Sequence, residues 1–372
     1  MHYYLALTSK CNLLCKYCYG KTTEDFMTQE ESKEYDLTLP KEINFTIDDL
    51  KKYAQDDPNF ELTFYGGEPL MKIDKIIEIM NNVPVKTFMI QTNGILLHKL
   101  PPKYLNKLHT ILVSIDGGKK HTNERRGNLV YEKVIRNIKL ARKNGFKGEI
   151  IGRMTVDETS NVYENVRHLI SLNLFDSIHW QLDAQFWKSD YKERNFREWT
   201  KNNYNPNISK LIVWWVNEIR QKRTHKIYPF VGVLNRILSK NPEPMPCGSG
   251  HSLLGIQTNG KVVACPITAG YKPFKMGDVR NSSLREIKKN KILPKGKCTH
   301  CEIYSVCGGR CLYANYTMLW GEKGFDEVCD TTKHLVKEIK KIIPIVDEEI
   351  NRNLIKKEVL EYRKYNGCEI IP

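Results

Sequence analysis

Cys11, Cys15 and Cys18 stand within eight residues of one another, close enough for their sulfurs to converge on a single point. Three thiolates leave one corner of a four-coordinate or cubane metal site unfilled, whereas a structural zinc site is normally closed by a fourth ligand. The next cysteine in the chain is Cys247. On these residues alone the set is a metal centre with an open position, a partial zinc site or unrelated thiols. Seven more cysteines, Cys247, Cys265, Cys298, Cys301, Cys307, Cys311 and Cys329, follow in the last third of the chain. Their Cys298-x2-Cys301 pair looks by itself like half of a zinc ribbon. Between the two groups lies Gly66-Gly67-Glu68-Pro69. Two glycines let a backbone approach a ligand closely, and the adjacent carboxylate can receive an ammonium group.

Residues so far apart need a scaffold that brings them together, and strict alternation of strand and helix supplies one. Tyr3 to Thr8 reads as a short strand that delivers its end to the first cysteines, and residues 21 to 45 read as a long polar excursion. Thr46 is placed to cap a helix with Asp48 and Asp49 in its first turn. Further strands are predicted at 61–65, 86–92, 110–115, 149–156 and 177–182, with helices at 74–81, after Pro101, at 131–144 and at 162–172. Alternation of this kind means a parallel sheet with right-handed crossovers. The polar motifs all fall at the C-terminal ends of strands, where barrel enzymes build their active sites.

From Ala184 to Pro246 the alternation stops. Trp187, Trp199, Trp214 and Trp215 cluster there and read as packing of a helical linker region against the barrel rather than as a substrate grip. Helices are expected near 208–221 and 230–238, and a charged amphipathic helical tail near 333–364.

The Cx3CxxC spacing, with Tyr17 before its last cysteine, resembles the cluster motif of the radical S-adenosylmethionine (SAM) superfamily. The resemblance implies a partial (β/α)6 TIM-like barrel in which Cys11, Cys15 and Cys18 hold a 4Fe-4S cluster whose open iron binds SAM. It implies further that Gly66, Gly67 and Glu68 meet the SAM amino group and that Tyr17 packs near adenine. Ser114 and Asp116 would flank the ribose and methionine portion, and Arg126, or by a one-residue slip Arg125, would pair with the carboxylate. The later cysteines follow the pattern of the SPASM domain, a small cysteine-rich extension in radical SAM enzymes that modify ribosomal peptides and proteins. By that resemblance Cys298, Cys301, Cys307 and Cys329 close one auxiliary 4Fe-4S cluster, and Cys247, Cys265 and Cys311 hold a second. That makes three clusters in all, the second auxiliary one lacking a fourth cysteine. It is then open to solvent or substrate, or takes an unexpected ligand such as Cys368. The expected layout is a barrel over 1–183, a linker over 184–246, the SPASM domain over 247–330 and a helical tail over 331–372.

Two departures narrow the reading. Anaerobic sulfatase maturases, which the chain resembles overall, place an Asp base directly after the cysteine matching Cys265, and here that residue is Pro266. The cluster motif also starts at residue 11, so a leader sequence on the substrate would be bound elsewhere or by a separate leader-binding protein. The expected activity is therefore radical SAM maturation of a peptide substrate, with a ferredoxin or flavodoxin as low-potential electron donor. The rivals are radical modification of a protein side chain or an RNA base, and a non-catalytic zinc-binding scaffold.

Bulk properties set limits. The formal charge is +15, falling to about +11 with three clusters in the 2+ state. Lysines are spread without a long basic arm, so the excess reads as solvated helix faces rather than a nucleic-acid footprint. No apolar run approaches a membrane span. Eleven cysteines read as ligands in a reducing cytoplasm rather than as disulfides.

Overall fold

The computed structural model describes residues 1–18, 33–186, 190–239, 244–268, 270–352, 361 and 371–372. Strands β1 (His2–Thr8), β2 (Glu61–Gly66), β3 (Thr87–Thr92), β4 (Leu108–Ser114), β5 (Glu149–Val156) and β6 (Ser177–Leu182) lie side by side in chain order. All five pairings are parallel. Successive residues of a strand point to opposite faces, and β1 shows the division of labour. Tyr3, Leu5 and Leu7 are buried in the main core, while Tyr4, Ala6 and Thr8 line the interior.

The outer layer is helical. It comprises α1 (Ile47–Gln55), α2 (Ile73–Asn82), α3 (Pro102–Leu105), α4 (Lys119–Arg126), α5 (Val130–Lys143) and α6 (Val162–Ser171). Thr46 caps α1 in a reciprocal box with Asp49. In α5 the buried residues Val130, Val134, Asn137, Ile138 and Ala141 form one stripe. Helix α4 is not foreshadowed by such a stripe. Only Thr122 and Arg126 are buried on it, and it is held as a helix by its surroundings.

The sheet does not end at β6. A two-residue strand, β7 (Lys226–Ile227), pairs with β6. At the other edge β8 (Leu253–Ile256) pairs parallel to β1 from His2↔Leu253 to Leu5↔Ile256. Antiparallel β9 (Lys261–Val263) and β10 (Lys275–Asp278) continue outward, making one mixed sheet of ten strands. The cysteine-rich half is therefore joined to the barrel through backbone hydrogen bonds.

In the linker, Trp215 and Trp199 are buried in the main core and Trp214 packs against it, in keeping with a packing role. Trp187 lies outside the described residues. Helices α7 (Phe196–Trp199), α8 (Asn205–Arg220) and α9 (Tyr228–Leu238) fill this region. In the cysteine-rich half come α10 (Leu284–Lys289), α11 (Tyr304–Cys307) and α12 (Leu312–Thr317), followed by α13 (Gly321–Asn351). Helix α13 starts twelve residues before the expected 333, so Cys329 sits on a helix rather than in a loop. Among the described residues no helix is long and apolar enough to cross a membrane.

Candidate active site

The end of β1 runs straight into the first cysteine loop, and the end of β2 clamps it. Gly67 N donates to Thr8 O at 2.7 Å and Glu68 N to Lys10 O at 2.9 Å. A Cβ on Gly66 would lie 2.2 Å from Thr8 O, and one on Gly67 2.2 Å from Lys10 O. Only glycine permits that approach. Asn93, at the end of β3, donates to Asn12 Oδ1 at 2.7 Å, and Lys16 N donates to Arg125 O at 3.0 Å. Held this way, Cys11, Cys15 and Cys18 lie within electrostatic influence of one another. Burial pushes the Cys11 and Cys15 thiols above their ordinary range.

Glu68 does not face the cavity. Its carboxylate is fully buried and accepts hydrogen bonds from Leu70 N at 3.0 Å, Thr92 Oγ1 at 2.7 Å and Asn93 N at 2.7 Å. Burial pushes it up to about 7 against the pull of those donors. It ties the end of β2 to the end of β3, leaving Gly66 and Gly67 to face the cavity.

Asp116 is also enclosed. Arg126 donates to it from Nε at 2.8 Å and Nη2 at 2.7 Å, Tyr17 from its hydroxyl at 2.5 Å and Thr155 from its backbone at 2.9 Å. Each carboxylate oxygen thus takes two donors. Arg126 is 6% exposed and lines the cavity, whereas Arg125 turns to Asp157. Both guanidinium groups lie over the Tyr17 ring, at 5.0 and 5.3 Å from its centroid. Burial opposes the Arg126 charge, and Asp116 more than restores it.

Two cavity residues escape a reading of the sequence by motif. Arg153 on β5 stands beside Ser114 in register and donates to Gln181 Oε1 on β6 at 2.9 Å, and all three line the cavity. An arginine at an inward position in the middle of a largely apolar strand was the available signal. Tyr35 and Tyr313 share a buried 2.7 Å hydroxyl contact at the cavity wall. As they are 278 positions apart in the chain, no local pattern announces the pair.

The later cysteines fall into two groups in space. Cys265 has Cys311 and Cys247 as neighbours. Cys298 interacts with Cys301, Cys307 with Cys329 and Cys298, and Cys329 with Cys298. Asn315 donates to Cys298 Sγ at 3.3 Å. Gly308 and Gly309, both with positive φ, form the tight turn between Cys307 and Cys311, and a Cβ on Gly308 would meet Pro244 O. All ten described cysteines are free thiols, and Cys368 lies outside the described residues. Among the described residues no three His, Cys, Asp or Glu groups are close enough to hold a single ion. A cubane asks for something different, because each thiolate binds a separate iron. The donor sets fit such clusters, as soft thiolates in groups of three or four.

A single cavity of about 630 Å³ joins these parts. Cys11, Cys15 and Cys18 lie on its wall with Gly66, Gly67, Ser114, Tyr17 and Arg126, and the same chamber reaches Pro266, Ile267, Tyr313 and Tyr316 in the cysteine-rich half. Glu34 and Asp183 are the two carboxylates on its described lining.

Residues 5–169 match the radical SAM superfamily, and residues 247–312 match SPASM, an iron-sulfur cluster-binding domain. The radical SAM cyclopropyl synthase TigE of Paramaledivibacter caminithermalis is 22% identical over 90% of this chain and 73% of its own length. A cysteine-type anaerobic sulfatase-maturating enzyme of Clostridium novyi is 22% identical over 82% of this chain and 85% of its own. Among solved structures, native anSMEcpe with bound AdoMet and Cp18Cys peptide superposes with a TM-score of 0.71 at 18% identity, covering 94% of this chain and 99% of that one. Streptococcus suis SuiB bound to its precursor peptide SuiA gives 0.55 at 17% identity, covering 83% and 71%. These likenesses establish the shared fold.

Proposed function

The chain belongs to the radical SAM superfamily and carries a SPASM domain, and from that premise we propose that it is a peptide maturase. It abstracts a hydrogen atom from a ribosomally made peptide to modify or cross-link it. The observation that carries this reading is the shared chamber, in which the first cysteine loop and the cysteine-rich half face one space. Support also comes from the peptide-bound structures of anSMEcpe and SuiB.

SAM and a reduced 4Fe-4S cluster, when bound, supply a 5′-deoxyadenosyl radical. The chain's own residues orient and enclose it. Cys11, Cys15 and Cys18 hold the cluster, and the Gly66 and Gly67 backbone with Tyr17, Ser114 and Arg126 faces SAM. Glu68 and Asp116 act one step back, fixing the strand end and the arginine. Arg153, next to Ser114, adds a second cation to the cavity lining. Pro266 leaves the position of the sulfatase-maturase base without a carboxylate. Glu34 and Asp183, the two carboxylates on the described lining, would then be the groups that take a proton from the substrate. Cys298, Cys301, Cys307 and Cys329 hold one auxiliary centre, and Cys247, Cys265 and Cys311 the other. The electron source is a ferredoxin or flavodoxin.

Modification of a protein side chain is the second reading, favoured by the similarity to the Clostridium novyi enzyme. Anaerobic reconstitution followed by incubation with a short peptide encoded beside the gene tests both. About twelve irons per chain, 5′-deoxyadenosine and a peptide lighter by two hydrogens are expected for cross-linking, and an unchanged mass with inverted stereochemistry for epimerisation. Iron content near that of one cluster, or turnover of a sulfatase peptide in preference to the neighbouring one, would overturn it.

A further inference from the structure

Ser249 sits in the turn Cys247-Gly248-Ser249-Gly250 and is 4% exposed. Cys247 Sγ donates to Ser249 Oγ at 3.3 Å, and the same hydroxyl hydrogen-bonds Cys265. Cys265 in turn neighbours Cys247 and Cys311. Ser249 thus contacts two of the three thiols, Cys247 and Cys265, and the third, Cys311, neighbours Cys265.

The turn is built to keep the hydroxyl there. Gly248 and Gly250 adopt φ of 84° and 80°, a region that side chains rarely enter. A Cβ on Gly250 would lie 1.9 Å from Ile292 O, and Gly250 N donates to Ala264 O at 2.7 Å, beside Cys265. With the backbone pinned on both sides, Ser249 has only its χ1 rotation to adjust. That rotation is what the arrival of iron and sulfide between hydroxyl and thiolates requires.

We propose that Ser249 Oγ is the fourth protein ligand of the auxiliary centre held by Cys247, Cys265 and Cys311, binding the iron left without a cysteine among the described residues. The inference rests on the cluster reading given above. Coordination forms an Fe–O bond and breaks the O–H bond, with the proton passing to solvent. Iron's charge makes the hydroxyl acidic enough for this, and no electron changes hands. The corner is then closed to a substrate thiol, so this centre handles electrons and does not anchor a peptide cysteine.

The test uses the full-length protein carrying Cys15→Ala, which removes the SAM-binding cluster and its own open iron. Parent, Ser249→Ala and Ser249→Cys versions are reconstituted, reduced and examined by EPR and electron-nuclear double resonance with isotope-labelled cyanide as the probe. Coupling to the label is expected in Ser249→Ala and not in the serine-containing protein. Ser249→Cys is expected to keep its iron, exclude cyanide and shift the EPR signal. Loss of one cluster's iron in Ser249→Ala, restored in Ser249→Cys, would equally support ligation. Equal coupling with and without Ser249 overturns the inference, because the corner is then already open, and so does absence of coupling in both when iron is retained. Failure of the serine-containing protein to take up about eight irons would sink the cluster reading instead.

Discussion

Two carboxylates that the motifs point toward SAM are turned to other partners in the structure, and their chemistry is testable residue by residue. Asp116 is fully buried against Arg126. Asp116→Asn keeps the shape and leaves a buried guanidinium without its counter-charge, which typically costs about 3–5 kcal/mol. Urea unfolding should show that loss, and a variant as stable as the parent would contradict the enclosed pair. Glu68 makes a pH prediction. Its folded carboxyl is raised to about 7 from the ordinary 4.5. At low pH it is protonated in both states. As pH rises, the unfolded chain ionises first, so the contribution of Glu68 to stability declines between about 4.5 and about 7 and is level above. Linkage puts the total at about 3 kcal/mol. The stability difference between the parent and Glu68→Gln, followed across pH 4.5 to 8, should fall through that window, and a rising difference would reverse the assignment.

At the scale of elements, the barrel was legible wherever an apolar stripe or a strand-end motif marked it. The six parallel strands stand close to where alternation put them, because buried strands and amphipathic helices both write their period into the sequence. Helix α4 does not. Its sequence KKHTNERR buries two residues, one of them Arg126, and its fold is imposed by the pocket it serves. Helix α13 likewise starts before its amphipathic pattern does. The expected helical tail begins only after Cys329, yet the helix already runs through Phe325 and Val328, which are buried just before it. Strands β8 to β10 are three or four residues long, too short for periodicity to declare them. That helix placement gives a prediction. Burial pushes Cys329 up to about 11 and Cys307 up to about 12, so metal must displace protons there. Iron uptake in reconstitution should accordingly be faster at pH 8.5 than at pH 7. Cys329→Ser should lose one cluster's iron while α13 keeps its helical circular dichroism.

For the whole molecule, the decisive feature is that the two cysteine-bearing halves share one sheet and one chamber. Linear sequence presents them as a barrel, a linker and an appended domain, with a boundary at residue 247. In the fold, β8 is the neighbour of β1, paired over four consecutive residues, and β1 is the strand that delivers Cys11. The appended half thus covers what would otherwise be the open edge of the barrel and also supplies the far wall of the cavity. An uncovered edge strand exposes a row of unpaired backbone groups that recruits other chains. In β1 that edge carries His2, Tyr3, Tyr4 and Leu5, all of which are buried in the intact chain. A fragment ending at Pro246 should therefore aggregate or self-associate on size-exclusion chromatography, even though it contains every barrel strand and the first cluster motif. Restoring residues 247–312 in trans should rescue it only to the extent that β8 re-forms its pairing. A monomeric, cooperatively unfolding fragment that still took up one cluster would show that the barrel closes its own edge, and that the shared chamber is a docking of two independent units.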